Sequence, residues 1–284
     1  MRDTTSASVG VVGSANVDLV VRVRSLPLAG ETVLGDDLRQ LSGGKGANQA
    51  AASAVLGAAT TFIGAVGSNA NGTWLIDQLA QRGVRTEEVR RSSQPTGTAL
   101  IVVDDAGENT IVVAPGANAT LSLDGTDVAA FDVVLAQLEI PLDTVVDAAR
   151  RAKRFVLNAA PARDIPDELL ERSAVVIVNE TEAAHIDVSR VSHLVVTLGA
   201  RGAQYLIDGV VVATAQPPAV DVVDTVGAGD TFCAAFCVQL ALGASPQEAL
   251  SYAVTAGALA TLNVGAQGSL PTHEEVLAWL PPEL

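Results

Sequence analysis

Val133-Val134-Leu135-Ala136-Gln137-Leu138, then Leu142–Ala152, then Phe155-Val156-Leu157-Asn158 decide the fold of this chain. An almost unbroken apolar run is followed by a stretch with helical patterning and then by a second apolar run. Strands this apolar must be buried on both faces. A helix between two of them supplies the crossover that parallel neighbours need. The rhythm extends in both directions. Strand-like runs fall at Val9–Gly13, Thr61–Val66, Val175–Asn179 and Leu194–Leu198, with helical patterns at Gly46–Leu56 and Thr73–Gln81. The last third is mainly helical, over Ala228–Leu242, Pro246–Asn263 and His273–Leu280. The expectation is an α/β fold, with a mostly parallel sheet covered by helices on both sides.

Two regions depart from this rhythm. Val17–Val23 alternates with period two and Thr32–Leu41 reads as extended. Thr98–Val103 and Thr110–Ala114 flank the turn formers of Asp104–Asn109, a hairpin signal. These segments predict a small antiparallel sheet set apart from the main one. Its apolar face must cover something, and a lid that also dimerises is the economical reading.

Composition bounds the function. The 284 residues suit one large domain, and at 49% apolar but only 3% aromatic its core must be filled by Ala, Val and Leu. The formal charge of −15 argues against nucleic-acid and anionic-membrane partners, which select for basic faces. No apolar run is long enough to span a bilayer, and the polar start, Met1 to Ser8, does not read as a cleaved signal; both point to the cytoplasm. Cys233 and Cys237 are four apart in an apolar helical stretch and read as small core residues. His185, His193 and His273 share no metal-ligand spacing and read as non-catalytic.

The chemistry points to Asp224-Thr225-Val226-Gly227-Ala228-Gly229-Asp230-Thr231-Phe232, between a strand-like run, Ala219–Val223, and a long helix. Gly227 and Gly229 let successive amides converge on one spot, at a helix start that favours negative charge. Asp230, in the first turn, faces the same concavity. A carboxylate beside an anion hole is what phosphoryl transfer to an alcohol requires, since the acid takes the hydroxyl proton while the amides stabilise the transferring group. The plainer alternative is that Asp230 caps the helix over a tight turn.

Gly43-Gly44-Lys45-Gly46-Ala47-Asn48 also precedes a helix, and lacks the Ser or Thr after lysine that a Walker A loop has. Its glycines allow close backbone approach, and Lys45 and Asn48 offer hydrogen-bonding groups. Asn16, Asp18 and Glu139 lie after strands, where open α/β sheets bind ligands, and such groups suit a polyol. Asn179-Glu180-Thr181-Glu182 follows a strand and could hold Mg²⁺ through water, or start a helix; Thr197-Leu198-Gly199-Ala200-Arg201-Gly202 could form a nucleotide-binding turn.

In combination and in this order, from about Gly10 to Pro271, these stretches resemble the ribokinase-like (PfkB) carbohydrate kinases. Gly43–Asn48 and Asp224–Asp230 match the two signatures of that family. The resemblance implies a three-layer sandwich with a mostly parallel central sheet and a small antiparallel β lid. The chain would be a single kinase domain over 1–284, with lid segments at about 16–24, 32–41 and 97–115. It implies ATP-dependent phosphorylation of a sugar, with the 5-hydroxyl of D-ribose as the expected acceptor. Fructose, a deoxyribose or a nucleoside such as adenosine is the alternative acceptor, and a sugar-binding protein that has lost catalysis is the alternative class.

Carried over residue by residue, Asn16, Asp18, Gly44, Lys45, Gly46, Ala47, Asn48 and Glu139 would hold the sugar. Asp230 would be the base, with Gly227, Ala228 and Gly229 as the anion hole. Asn179, Thr197, Leu198, Gly199, Ala200, Arg201 and Gly202 would meet ATP alongside Gly229 and Asp230, with Glu182 organising Mg²⁺ and its water. The family's monovalent cation, usually K⁺, would sit at Asp224, Val226, Ala260, Asn263, Gly265 and Ser269. The lid implies a homodimer. Two departures bear on ATP. Val254 stands where a polar residue often faces adenine, and the stretch between Asn179 and Thr197 is short, so one helix on the nucleotide side should be reduced or missing.

Overall fold

A computed structural model describes residues 7–268 and 270–280. The first half runs β1 (Ser8–Val12), β2 (Asn16–Arg22), β3 (Arg39–Gly43), α1 (Lys45–Val55), β4 (Ala59–Gly67), α2 (Ala70–Gln81), β5 (Val89–Ser92), β6 (Gly97–Val103) and β7 (Asn109–Ala114). Next come β8 (Val133–Ala136), α3 (Leu142–Arg151), β9 (Phe155–Asn158), α4 (Asp167–Arg172), β10 (Val175–Asn179), α5 (Glu180–Ala183) and β11 (His193–Thr197). The remainder is β12 (Ala203–Ile207), β13 (Val210–Ala215), α6 (Ala228–Ala241), α7 (Pro246–Leu259) and α8 (His273–Trp279).

Nine strands form the main sheet in the order β13-β12-β11-β10-β9-β8-β1-β4-β5. It is parallel from β5 to β11 and antiparallel only where β12 and β13 are added at the end. Successive strand residues serve opposite faces, so each strand feeds two cores. Val133 and Leu135 join Val9 and Val11 in a core roofed by α1, α2, α6 and α7. Val134 and Ala136 join Val12, Phe155 and Leu157 in a second core closed by α3 and α4. The three layers expected from the apolar runs are present.

The chain leaves β1 in one direction to reach β4 and returns on the other side to β8. Such a reversal opens a crevice at the carboxyl ends of the strands. Beside it stands the small sheet, β3-β2-β6-β7. Its outer pairs are antiparallel, whereas β2 and β6 run parallel.

Some boundaries differ from the sequence reading. Only Arg39–Gly43 of the extended stretch after Thr32 pairs as a strand, because the segment before it has just one backbone anchor, the Asp36 amide to the Arg22 carbonyl (2.9 Å). Ala219–Val223 is not a strand. Its end is tied to the Thr261 carbonyl by the amides of Val223 (2.8 Å) and Asp224 (3.1 Å), while Val222 and Val223 stay exposed. The helix expected to run to Asn263 stops at Leu259 and tightens into a 3-10 turn over Ala260–Leu262.

Candidate active site

The head of α6 is built by a glycine in a left-handed conformation. Gly227 has φ 80°, and a side chain there would strike Ala266 at 2.6 Å, so the turn is reserved for glycine. Asp230 follows in the first helical turn and is buried. Its Oδ2 accepts from Asn48 Nδ2 (2.9 Å) and its Oδ1 from Gln49 Nε2 (2.9 Å), both from α1. The amides of Gly227, Gly229 and Asp230 have no hydrogen-bond partner among the described residues. An anion is the natural ligand of such amides.

The head of α1 is pressed against the turn after β1. Gly44 has φ 87°, and a Cβ at Gly46 would lie 2.6–2.7 Å from backbone atoms of Gly13 and Ser14. The Ala47 amide donates to the Ser14 carbonyl (2.8 Å). This contact sets Lys45 beside three carboxylates. Asp230 foremost, helped by Glu139 and Glu182, holds the Lys45 ammonium above the ordinary lysine range despite its burial. Glu139, three residues past the end of β8, accepts from Ser14 Oγ (2.5 Å) and from the Lys45 amide (3.1 Å).

Asp18 and Asn16 project from β2. Burial, reinforced by Glu139 and Asp230, pushes the Asp18 carboxyl up to about 7. Its position depends on Gly43 across the pair, where a Cβ would sit 1.9 Å from Asp18 Oδ2. Asn16 Oδ1 accepts from Asn118 Nδ2 (2.7 Å), and Asn118 is itself locked to both backbone groups of Ala15 (2.9 and 3.2 Å).

Two cavities meet here. A cleft of about 790 Å³ lies between the small sheet and the main body, lined by Asp18, Leu41, Ser42, Asp224, Val226 and Gly265 among others. A smaller one of about 140 Å³ is lined by Lys45, Asn158, Asn179, Glu182, Thr197, Gly227, Gly229 and Asp230. Asp18 lines the larger cleft, whereas Lys45 lines the smaller cavity together with Asn179, Glu182, Thr197 and Asp230.

Asn179 and Glu182 form a reciprocal cap on α5, each side chain bonding the other's amide at 2.8 Å. The reading as a helix start therefore holds, yet both residues also line the smaller cavity, and burial raises the Glu182 carboxyl. The turn from Leu198 to Gly202 closes through the Leu198 amide and the Gly202 carbonyl (2.8 Å), with Gly199 at φ 58° and Gly202 at φ 91°. Gly199, Ala200 and Arg201 are exposed, and Arg201 pairs with Glu180 (2.6 Å). Val254 is buried in the main core. The span between β10 and β11 holds only the four-residue α5 and a 3-10 turn, Val188–Arg190.

Asp224 acts as a clip. Its Oδ1 accepts from the Val226 amide (3.0 Å) and its Oδ2 from the Gly265 amide (2.8 Å), joining two loops at the edge of the cleft. Ala260 is buried in the 3-10 turn, Asn263 is exposed, and Ser269 lies outside the described residues. Among the described residues no group of three or more His, Cys, Asp or Glu side chains is arranged to hold a metal. Glu182 contributes one carboxylate to the lining of the smaller cavity, an oxygen donor of the kind a hard divalent ion takes.

Cys233 and Cys237 are buried without a disulfide, although Cys233 reaches the smaller cavity. His193 and His273 pair with Tyr205 (3.1 Å) and Tyr252 (2.8 Å), away from both cavities. Sequence reasoning passed over Ser14, Gln49, Asn118, Asn158 and Gln267, the last of which donates through Nε2 to Asn48 Oδ1 (2.9 Å). Only Gln49 carried a signal, its place directly after Asn48.

A doubly covered parallel sheet, with an acid and open amides at one helix head beneath a sheet lid, defines a kinase of small alcohols. The match to the family described as pfkB family carbohydrate kinase covers residues 6–273, and the chain belongs to that family. Ribokinase of Bacillus subtilis is 39% identical over 94% of this chain and 97% of its own length. The structure of Arabidopsis thaliana ribokinase complexed with ribose and ATP matches at 34% identity and a TM-score of 0.87, covering 96% of this chain and 98% of that one. Thermotoga maritima ribokinase matches at 32% identity and a TM-score of 0.88, over 96% and 99%.

Proposed function

We propose that the chain transfers the γ-phosphoryl group of ATP to the 5-hydroxyl of D-ribose, in the cytoplasm and as a homodimer joined through the lid. The observation that carries this reading is the head of α6, where Asp230 and the unpartnered amides of Gly227 and Gly229 share one short stretch of chain. Ribose would enter from the larger cleft that Asp18 lines, and Asn16, Asp18 and Glu139, with Gly44 to Asn48, would receive its hydroxyls. The nucleotide lies along Asn179 and the turn from Thr197 to Gly202.

Asp230 takes the hydroxyl proton as attack on the γ-phosphorus begins. The bond from the γ-phosphorus to the bridging oxygen breaks and ADP leaves. Lys45 and the amides of Gly227 and Gly229 would face the charge that spreads over the transferring group, while the Ala228 amide, also expected in the anion hole, is taken by the Thr225 carbonyl (3.2 Å). Mg²⁺ would neutralise phosphate charge, held through water by Glu182. A monovalent cation would steady the anion hole from the loops that Asp224 joins, through Val226, Ala260, Asn263, Gly265 and Ser269.

The test is Asp230→Asn in a coupled ADP-release assay. Turnover should fall by about three orders of magnitude, the upper part of the range for a general base, while ribose affinity changes little. Undiminished turnover would remove Asp230 from the chemistry. A panel of ribose, fructose, deoxyribose and adenosine, compared by kcat/KM, tests the choice of sugar.

A further inference from the structure

Asp230 sits in a web of carboxamides that reaches well beyond the residues expected to touch either substrate. An ionised carboxylate only accepts hydrogen bonds, so the atoms facing Asp230 from Asn48 and Gln49 must be their NH₂ groups. That requirement spreads outward. With its nitrogen turned to Asp230 Oδ1, Gln49 spends its second hydrogen on Asn158 Oδ1 (3.0 Å). Its own carbonyl is then left to accept, and it does so from Gln137 Nε2 (2.5 Å). Asn158 cannot swing away, because its Nδ2 is tied to the Ile177 carbonyl of the next strand (3.4 Å). Gln49 and Gln137 are fully buried at 0% exposure, so these bonds are shielded from bulk solvent.

Gln137 does not gain from the arrangement. Its Oε1 is buried with no partner, wedged under Gly13, where a Cβ would meet it at 2.1 Å. A buried carbonyl left unsatisfied costs stability. An apolar side chain of the same shape would only move that cost to the buried Gln49 carbonyl, so the use of Gln137 lies in its bond to Gln49 rather than in filling the core. What it supplies is a donor aimed at Gln49, which fixes the side-chain amide of Gln49 in the one orientation that serves the acid.

On the reading that Asp230 is the base, we infer that Gln49 is a positioning residue for it and that Gln137 acts through Gln49. The pair holds the Asp230 carboxylate in the plane that meets the incoming hydroxyl. Neither side chain lines the sugar cleft or the nucleotide cavity. Their influence falls on the chemical step rather than on substrate affinity.

The experiment is a double-mutant cycle with Gln49→Met and Gln137→Met, each close in volume and lacking the amide. Gln49→Met should lower kcat by about 10- to 100-fold, the effect of losing one hydrogen bond to a charged group, with KM for ribose and ATP changed less than about threefold. Gln137→Met should give a smaller loss of kcat with Tm little changed, since it removes the unsatisfied Gln137 carbonyl but takes the donor from the buried Gln49 carbonyl. In the Gln49→Met background, Gln137→Met should cost nothing further in kcat, because its route to the acid is already cut.

Losses that multiply would show that Gln137 does not work through Gln49 and would overturn the inference. So would a Gln137→Met protein that loses kcat and Tm together, which is the mark of a purely structural role. If Gln49→Met does not fold, the Gln137→Met comparison of kcat, KM and Tm still decides. Asp230→Asn run in parallel separates the two claims. Turnover surviving that change refutes the base itself, whereas its collapse beside an undiminished Gln49→Met refutes only the positioning role.

Discussion

Sugar affinity should depend on pH through Asp18. Its carboxyl is moved from the ordinary 3.8 to about 7 by burial first and then by the charges of Glu139 and Asp230. Ribose hydroxyls donate to a carboxylate, so the sugar selects the ionised form and releases the proton that the free site keeps. At pH 5, two units below the free value, about 1% of the sites are ionised, so affinity should be about 100-fold weaker than on the plateau above pH 8. At pH 6 about 0.9 proton should leave for each sugar bound, falling to about 0.1 at pH 8, if the bound carboxyl returns to its ordinary range. Titration calorimetry in two buffers of different ionisation heat reads both quantities. The sign for stability follows from the same shift. A carboxyl raised on folding stabilises the free protein below the ordinary carboxylate range, and that contribution is lost as pH rises through about 7. Asp18→Asn should flatten the affinity profile and abolish proton release. An affinity that varies less than about threefold from pH 5 to 8, with no proton released at pH 6, would refute the reasoning.

Two further predictions concern packing. Gly46→Ala puts a methyl 2.6–2.7 Å from the backbone of Gly13 and Ser14, so α1 must move and carry Asn48 and Gln49 with it. We expect about 1–3 kcal/mol of lost stability by thermal unfolding, and about 100-fold lower kcat from misplacing the acid by a fraction of an ångström to an ångström. On the edge strand β7, Ile111 (51% exposed) and Val112 (60% exposed) point to opposite faces. Replacing both with aspartate should shift sedimentation from dimer to monomer, and an unchanged sedimentation coefficient would put the interface elsewhere.

The parts of this molecule that could be read from sequence are those where one residue type has one physical use. Apolar strands such as Val133–Ala136 can only be buried on both faces, so the main sheet was legible. Gly227, with its left-handed backbone, and Asp230, three residues on at the same helix head, were legible because glycine and carboxylate have few reasons to stand there together. The β12–β13 hairpin was passed over although Asp208-Gly209 marks it. Their φ angles of 47° and 77° are those of a tight turn between two strands, and Asp-Gly between apolar runs is a strong signal of one. Gln49 and Gln137 are different. In the chain, Gln49 stands among alanines on a helix, and its meaning arises only when α1, β8 and β9 meet. Ala219–Val223 misled because apolar content alone does not make a strand. Among the described residues it pairs with no strand, and its end is held by the Thr261 carbonyl instead.

The short crossover on the nucleotide side illustrates how a fold closes with less chain. Residues 180–192 must return from the end of β10 to the start of β11, close to the minimum a parallel connection needs. The span does so with one capped helical turn and a 3-10 turn instead of a full covering helix. Ile186 and Val191 still reach the second core, so the sheet face is not left bare. Arg190 then anchors the turn to Asp167 (3.1 Å) and Glu171 (2.9 Å) of α4. Exposed ion pairs of this kind each contribute little, about 0–1 kcal/mol, but here they link the turn to a helix that is itself seated by Leu169 and Leu170. The economy falls beside the smaller cavity. Asn179 and Glu182 remain in place because their capping of α5 is part of the crossover itself, and a change that unravels that cap disturbs the fold and the lining of that cavity together.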